Sequence, residues 1–312
     1  MDLENWMGCI KEEIKDKKLS EIVIPGSHDS GSYCINRKSK RTYLLPNLFC
    51  LNPVVDRVGS VWSRTQDYSI ADQLRLGVRY IDLRVFLDSN TNTKYLVHGF
   101  EAGELLVELE SVAEFVENHP EEIVILDMNH IYKCADCNIC SMLVKVEEMF
   151  GDKLCPPPPQ DASVQTYGEM IQSGKRVIIA LTEEPEMFTS TYKHSEVKCQ
   201  FDWVWSSESH VVSPWADTTD VSYLKDFLEI TMSRERAPDS LHVAQTILTP
   251  KTGDTLHGIY KSPRNLKQMA DLLTPHLPAW FEDFQKRLKL NIAIVDFLTP
   301  SLINLLVNLN LS

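Results

Sequence analysis

The chain is short of positive charge. Its 312 residues include 31 lysines and arginines against 44 aspartates and glutamates, which gives a formal net charge of −13 at pH 7. Nucleic-acid-binding surfaces are basic, so this balance argues against a nucleic-acid partner. An anionic membrane would have to be met by a local basic patch, because the molecule as a whole is repelled by it.

The sequence also lacks a long apolar segment. Residues 1–20 carry five acidic side chains and no apolar stretch of the kind that a secretory signal contains. The apolar stretch at 302–311 is interrupted by asparagines and is too short to span a bilayer. We therefore expect a cytoplasmic protein without a transmembrane segment, which associates with membranes peripherally at most. In that compartment its eight cysteines would mostly be free thiols.

What the chain does contain is a series of short apolar runs that recur along its whole length. Hydrophobic residues make up 43% of it, enough for a core of normal size. Helical spacing of apolar residues falls between several runs, most clearly at 105–116. Alternating strands and helices predict an α/β fold, either a TIM (β/α)8 barrel or a doubly wound sheet. The predicted buried strands are 22–24, 78–86, 95–97, 123–126, 177–181, 201–205, 241–248 and 292–295.

Titratable side chains follow the predicted strands where these end. The first apolar run stops at a Pro-Gly turn, and His28 and Asp29 come directly after it. A second histidine, His98, follows a later strand, and Asp82 and Arg84 share one face of the strand between them. One histidine alone would fit a solvated loop, but a histidine at a strand end is how α/β enzymes place a general base. The set as a whole indicates acid–base chemistry on a phosphate.

Five strings, in this order and spacing, resemble the X domain of phosphatidylinositol-specific phospholipase C. The resemblance is closest to the small proteins made of that domain alone, and more distant to the bacterial enzymes. It implies a distorted TIM barrel that occupies 1–312 as a single domain, with an N-terminal helix at 1–20 and a loop insertion at 36–62. The strings are IPGSHDSG (24–31), VWSRTQ (61–66), GVRYIDLR (77–84), VHG (97–99) and VDF (295–297).

The resemblance implies a phosphoric diester hydrolase of the phosphorus–oxygen lyase type. The enzyme would cleave phosphatidylinositol-type lipids to diacylglycerol and inositol phosphate, through a cyclic phosphate. His28 would be the general base on the inositol 2-hydroxyl, oriented by Asp296. His98 would protonate the departing diacylglycerol oxygen, supported by Asp29.

The same resemblance implies that Arg84 neutralises the phosphate and that Asp82 holds Arg84. In the calcium-dependent animal enzymes, carboxylates stand at both of these positions and another follows at the next strand end, where this chain has Asn129. A guanidinium in that place would repel a hard divalent cation, which needs several anionic oxygens. We therefore expect calcium-independent activity with no cofactor, Arg84 acting in place of calcium.

The residues that would hold the headgroup differ from the bacterial pattern. Asn129 and Leu181 stand where the bacterial enzymes carry basic residues. Asn129, Trp203 and Trp205 are the predicted substrate-binding residues, the tryptophans (with Trp215) offering a face to the inositol ring or to a membrane edge. The alternative for the tryptophans is simple packing, because the indole is mostly buried in proteins.

A basic cluster at 37–41 stands out in this acidic chain, and an apolar stretch follows it. That combination suits docking onto anionic lipid, although many such clusters are solvated loops. We predict that this insertion binds the phosphoinositide-bearing membrane beside the active site. The predicted membrane-binding residues are Arg37, Lys38, Lys40, Arg41, Leu48 and Phe49.

Three alternatives stay open. His130, Cys134, Cys137 and Cys140 have a spacing that can bind zinc, but also fit a loop with free thiols. The barrel could be a non-catalytic binder of an inositol lipid or inositol phosphate. It could also be a phosphodiesterase that acts on another phospholipid headgroup, although such metal-dependent barrels need more carboxylates near the histidines.

Overall fold

The computed structural model describes residues 1–42, 52–88, 93–132, 136–159, 162–182, 201–258 and 261–311. Within them, ten strands form one sheet, and eight of these make a nearly closed parallel barrel in the order β7-β6-β5-β2-β1-β10-β9-β8. The strands are β1 (Ile24–Ser27), β2 (Tyr80–Asp88), β3 (Thr93–Val97), β4 (Glu101–Glu104), β5 (Val124–Tyr132), β6 (Val177–Leu181), β7 (Val204–Ser206), β8 (Val211–Val212), β9 (Leu241–Thr246) and β10 (Ile292–Val295).

Helices accompany the strands, as the predicted alternation requires. In α5 the buried residues Leu105, Leu109, Val112 and Val116 recur at helical spacing, and the helix ends before Pro120. The described helices are α1 (Trp6–Cys9), α2 (Lys11–Ile14), α3 (Asn52–Ser63), α4 (Ile70–Arg75), α5 (Leu105–Asn118), α6 (Asp136–Phe150), α7 (Tyr167–Ser173), α8 (Ser207–His210), α9 (Val221–Met232), α10 (Thr252–His257), α11 (Leu266–Leu273), α12 (Leu277–Leu288) and α13 (Pro300–Asn308).

The predicted α/β barrel is confirmed, and the doubly wound alternative is not. Strand β1 lies between β2 and β10, so the first and last strands of the chain are hydrogen-bonded neighbours. The run at 95–97 is not a barrel strand, because β3 pairs antiparallel with β2 and β4. The eighth barrel strand is instead β8, whose two residues are too few to produce a pattern in the sequence.

The N-terminal segment also differs from the prediction of one helix over 1–20. Two four-residue helices, α1 and α2, precede a short 3-10 helix at Leu19–Glu21. In the predicted insertion at 36–62, residues 43–51 lie outside the described part, and α3 follows them.

The barrel core is one continuous apolar cluster, in which all five residues of β6 are buried. At the N-terminal end of the barrel, Arg79 and Glu122 form a fully buried ion pair at 2.8 Å. In the described part of the chain, no helix combines the length and apolarity that crossing a membrane requires.

Candidate active site

Strand register brings the predicted residues to one rim of the barrel. Ser27, the last residue of β1, lies opposite Val295 of β10 and Ile81 of β2. The residues that follow them, His28, Asp296 and Asp82, therefore meet at the rim where β1 and β10 end and where the pairing of β2 with β1 stops. This is the end at which (β/α)8 barrels assemble their sites.

His28 is bound on one side by a carboxylate. Its Nδ1 lies 2.7 Å from Asp296 Oδ1, so Nδ1 carries the hydrogen and the ring is oriented. Its Nε2 points into the cleft, 3.4 Å from Arg84 Nη2 and 3.5 Å from Asp29 Oδ2. Burial works against a charge on this ring, but Asp296 and then Asp29 outweigh it and raise the pKa of His28 to about 9.

Asp29 stands at the centre of the site. Its carboxylate lies 2.9 Å from Arg84 Nε through Oδ1 and 3.2 Å from His98 Nε2 through Oδ2. Burial would raise the pKa of Asp29, but Arg84, His98 and His28 together lower it. Its backbone is left-handed, with φ of 41°, a conformation in which aspartate is one of the few side chains enriched.

His98 contacts the same carboxylate oxygen as His28. Its Nδ1 donates a hydrogen bond of 2.7 Å to the Ser63 carbonyl, which leaves Nε2 to face Asp29. Burial lowers the pKa of His98; the positive charges of Arg84 and His28 lower it further, and Asp29 opposes them. These opposite shifts mean that at neutral pH the resting site carries its second ring proton, and with it the positive charge, on His28 rather than on His98.

Arg84 and Asp82 are arranged differently from what the resemblance implies. The oxygens of Asp82 accept hydrogen bonds from the Asp29 backbone N–H at 2.8 Å and from Asn129 Nδ2 at 2.7 Å. Arg84 is paired instead with Asp29 and hydrogen-bonded to Tyr132. Asp82 acts on Arg84 through its charge, and it fixes the backbone of Asp29 and the amide of Asn129.

A β-bulge between β2 and β5 determines where Asn129 and His130 lie in the site. Asp82 lies opposite Asp127, but two residues later Arg84 lies opposite His130, because β5 contains one extra residue there. As a result Asn129 reaches Asp82, and His130 Nδ1 donates to Asn129 Oδ1 at 2.7 Å. The sequence had suggested a role for His130 only as a zinc ligand.

The loop after α3 holds the backbone at His28 and beside Asp296 in place, a role that the sequence did not reveal. The Thr65 hydroxyl donates to the His28 carbonyl at 2.8 Å, and the Gln66 amide donates to the His28 and Val295 carbonyls at 2.9 Å. Ser63, two residues earlier, accepts from His98. One short segment thus fixes both histidines.

Two polar atoms at the centre have unfulfilled hydrogen-bonding capacity. Asp29 Oδ2 and Arg84 Nε are buried and have no well-aligned partner among the described residues. Buried polar atoms are normally satisfied, and exceptions cluster where a ligand supplies the partner. A phosphate beside Arg84 would meet that description for the guanidinium.

The site opens into a cleft of about 520 Å³. Its charged and polar lining includes the two histidines, Arg84 and Asn129, together with Gln245 and Thr249. The larger apolar side chains of the lining, here called the apolar wall, are Trp62, Trp215, Ile247, Leu248, Pro250 and Leu266. A lining that combines charged and apolar side chains suits an amphiphilic ligand with an anionic head.

Trp203 and Trp205 do not line this cleft, so the structure corrects their expected contact with the inositol ring. Both indoles are buried, and their Nε1 atoms donate to Glu147 Oε1 at 3.0 Å and to the Cys155 carbonyl at 2.8 Å. Trp205 lies in β7, all three residues of which are buried, and Trp203 directly precedes that strand, so the packing alternative holds for both indoles. Trp215, in contrast, is 54% exposed and lines the cleft.

The predicted membrane cluster is placed only in part. Arg37, Lys38 and Lys40 are exposed; Lys40 pairs with Glu101 at 2.9 Å, and Arg41 lies 3.3 Å from Asp56. Leu48 and Phe49 lie outside the described residues.

The donor set does not suit a calcium ion. Both oxygens of Asp82 accept from N–H groups, and the guanidinium of Arg84 pairs with the Asp29 carboxylate at 2.9 Å. Asp127 is buried and accepts hydrogen bonds from the Tyr80 and Ser207 hydroxyls, and burial raises its pKa to about 7.

Zinc binding by His130, Cys134, Cys137 and Cys140 stays an open alternative. Cys134 and the Cys137 side chain lie outside what the structure describes. Among the side chains that it does describe, no group of three histidine, cysteine or acidic residues is arranged to hold a metal ion.

The fold and the site together define a phosphatidylinositol-specific phospholipase C-like barrel. Residues 57–181 match the family model "Phosphatidylinositol-specific phospholipase C, X domain". The chain is 30% identical over 309 residues to mouse (Mus musculus) PI-PLC X domain-containing protein 2, covering 97% of this chain and 84% of that protein. The human (Homo sapiens) protein of the same name is 29% identical, over 88% of this chain and 87% of its own length. The chain belongs to the family of PI-PLC X domain-containing proteins.

Solved structures agree on the fold. The phosphatidylinositol-specific phospholipase C of Listeria monocytogenes superposes with a TM-score of 0.64 at 16% identity, covering 99% of both chains. The corresponding Staphylococcus aureus enzyme, from a study titled for modulation of its membrane binding, gives 0.64 at 17% identity, over 99% of this chain and 98% of that one. At such identities the likeness establishes the barrel and nothing finer.

Proposed function

We propose that the protein is a phosphatidylinositol-directed phospholipase C that cleaves the phosphodiester by histidine acid–base chemistry. The observation that carries the proposal is the convergence of His28 and His98 on one oxygen of Asp29, beside Arg84, in a single cleft with both polar and apolar lining. Membership of the X-domain family supports the same reaction class.

The first step is an internal attack. His28 Nε2 takes the proton of the inositol 2-hydroxyl as that oxygen forms a bond to phosphorus. The bond from phosphorus to the glycerol oxygen breaks, and His98 donates a proton to the departing diacylglycerol. The products are a cyclic inositol phosphate and diacylglycerol, and a later attack by water opens the ring with the roles of the histidines reversed.

Arg84 stabilises the charge that builds up on the phosphoryl oxygens. A guanidinium held by Asp29 and Tyr132 is positioned before the reaction, so its donors need not reorganise. The same cation replaces a metal ion in this proposal, which supports calcium-independent turnover.

Substrate binding changes the proton distribution of the resting site. The productive form needs neutral His28 and charged His98, the opposite of the resting preference. A phosphodiester anion beside His98 raises its pKa, because a nearby negative charge stabilises the imidazolium. Turnover then proceeds through a protonation state that is a minor one in the free protein.

The cleft also supports a lipid substrate presented at a membrane surface. Trp215 is exposed at the rim of the apolar wall, and Arg37 and Lys38 are exposed nearby in sequence to the turn that carries His28. An indole and basic side chains suit the interface of an anionic bilayer.

The test compares wild type with His28→Ala and His98→Ala on phosphatidylinositol vesicles containing EGTA. Cyclic and acyclic products are separated by phosphorus NMR. Both variants should lose most activity, whereas His276→Ala, an exposed histidine outside the cleft, should not. An aryl inositol phosphodiester, whose leaving group needs no acid, should restore turnover to His98→Ala but not to His28→Ala.

Undetectable turnover by the wild-type protein, with inositol phosphate binding that depends on Arg84, would replace the enzyme with a non-catalytic inositol phosphate binder. Preferred cleavage of another headgroup would replace the substrate class instead.

A further inference from the structure

A second, smaller pocket lies behind one wall of the active site. Its volume is about 300 Å³, and its lining includes three cationic side chains, Arg37, Arg64 and Lys267, and one carboxylate, Asp67. Two positive charges are thus in excess here, in a chain whose net charge is −13. A local excess of this sign attracts an anion even on an acidic protein.

The ion pairs of these cations do not neutralise all of their positive charge. Arg64 Nη2 lies 2.7 Å from Asp67 Oδ1, and Lys267 Nζ contacts the other oxygen of the same carboxylate. Arg37 is exposed and forms no ion pair with any acidic residue that the structure describes. One carboxylate therefore holds two cations together, while a third cation of the same lining pairs with no acidic residue in the described part of the chain.

The rest of the lining suits a small anionic group. The Phe297 ring lies beneath Lys267, with Nζ 5.2 Å from the ring centroid, and Asn265 and Ser60 add polar atoms. Phosphate is the anion that such a set recognises best, because its oxygens accept from arginine forks and lysine ammonium groups together.

The wall of this pocket is also the wall of the active site. Along 63–67 the contacts alternate: the Ser63 carbonyl binds His98, Arg64 lines the pocket, Thr65 binds the His28 carbonyl, and Asp67 returns to the pocket. Phe297 directly follows Asp296, the carboxylate that orients His28. An anion in the pocket would contact residues one position away from those that fix both histidines.

We infer that this pocket, lined by Arg37, Arg64 and Lys267, is a second phosphate-binding site, distinct from the cleft that contains Arg84. Its ligand is a phosphate group, either free in solution or as the phosphomonoester headgroup of a lipid. The inference does not depend on turnover in the cleft, because it concerns binding at a separate set of side chains.

The first experiment titrates the full chain with inorganic phosphate by calorimetry. Arg84→Gln is used as background, so that binding in the cleft does not contribute. In that background, adding Arg37→Gln and Lys267→Gln should weaken phosphate binding about tenfold or more, since charge-assisted hydrogen bonds are lost. The control pair Arg234→Gln, just after α9, and Lys286→Gln, in α12, removes the same charge from exposed positions outside the pocket and should leave the affinity unchanged.

The second experiment identifies the source of the phosphate. Flotation on phosphatidylcholine vesicles that contain phosphatidic acid is compared with flotation on phosphatidylglycerol vesicles of equal surface charge. If the ligand is a lipid phosphomonoester, the pocket variant loses binding selectively on phosphatidic acid. If the ligand is soluble, only the titration changes. Equal behaviour of the pocket and control variants in both assays would overturn the inference, and thermal unfolding of each variant shows whether it is folded.

Discussion

His28 and His98 approach the Asp29 carboxylate from two sides, with their ring centroids 6.1 Å apart and the ring planes at 77°. One oxygen of Asp29 lies 3.5 Å from His28 and 3.2 Å from His98, so the two rings titrate as a coupled pair. The second carboxylate, Asp296, touches His28 alone, and this asymmetry gives His28 the higher pKa of the two.

The asymmetry predicts the shape of the pH profile. With one neutral and one charged histidine required, kcat/KM should follow a bell whose alkaline limb lies near the pKa of about 9 of His28. Asp296→Asn removes a charge that raises this pKa, so the limb should move down toward the ordinary histidine value of about 6.5. The measurement is kcat/KM on phosphatidylinositol from mildly acidic to alkaline pH. An alkaline limb that stays in place in Asp296→Asn would contradict this origin of the raised pKa.

Two replacements of Arg84 distinguish the contribution of its positive charge from that of its hydrogen-bonding geometry. Arg84→Gln should lower kcat by about a hundredfold to a thousandfold, the usual cost of removing one preorganised donor to a transition state. Arg84→Lys keeps the charge but cannot reach Asp29, Tyr132 and a phosphate at once, so it should recover only a small part of that loss. Full activity in the lysine variant would show that charge alone is sufficient.

Calcium chelation should leave the reaction unchanged. In the proposed mechanism Arg84 takes the part of a divalent ion, and the oxygens of Asp82 are bound by N–H donors. We expect equal kcat for enzyme dialysed against EGTA and enzyme supplied with calcium. Loss of activity on chelation that calcium alone restores would show that the metal takes part.

Two tryptophans should respond to truncation in opposite ways. Trp205→Ala opens a hole in the core and should lower the free energy of unfolding by about 3–5 kcal/mol. Trp215→Ala removes an exposed indole, so it should leave the melting temperature unchanged while raising KM on lipid vesicles. The comparison of thermal unfolding with vesicle kinetics checks both. Unchanged vesicle kinetics for Trp215→Ala would remove this residue from the lipid contact.

Thr65 should act on the reaction through the backbone. Thr65→Val leaves the buried His28 carbonyl with one donor fewer, at a cost of about 1–3 kcal/mol in stability. Gln66 still donates to that carbonyl and Asp296 still orients the ring, but the backbone that positions His28 is held by one bond fewer. We therefore expect kcat to fall with little change in KM, and the alkaline limb of the pH profile to shift. Thr274→Val, which removes a similar hydroxyl-to-carbonyl bond in a distant 3-10 helix, serves as the control and should cost stability alone.

The sequence was sufficient to predict that six site residues meet at one rim of the barrel. Parallel strands bring His28, Asp296 and Asp82 together there, whereas His98 follows the antiparallel strand β3 and its place was implied by the family resemblance. His28, Asp29, Asp82, Arg84, His98 and Asp296 all lie there. It could not predict that Asp82 binds Asn129 rather than Arg84, since this depends on one extra residue in β5.

Other features have no local signal at all. Thr65 and Gln66 are more than thirty positions from His28 and reach it only through the tertiary fold. Trp205 and Trp215 are alike as sequence letters, but Trp205 lies in the buried strand β7, whereas Trp215 lies outside the strands and helices and is exposed.

The left-handed backbone of Asp29 restricts which replacements this position could accept. Glycine would adopt the turn freely but would bring no carboxylate, and glutamate would bring a carboxylate on a backbone that resists the turn. Asparagine is the one substitution that keeps both the shape and the turn while deleting the charge. A single aspartate-to-asparagine change at this position would therefore leave the barrel intact while it deprives the two imidazoles of the anion that both contact.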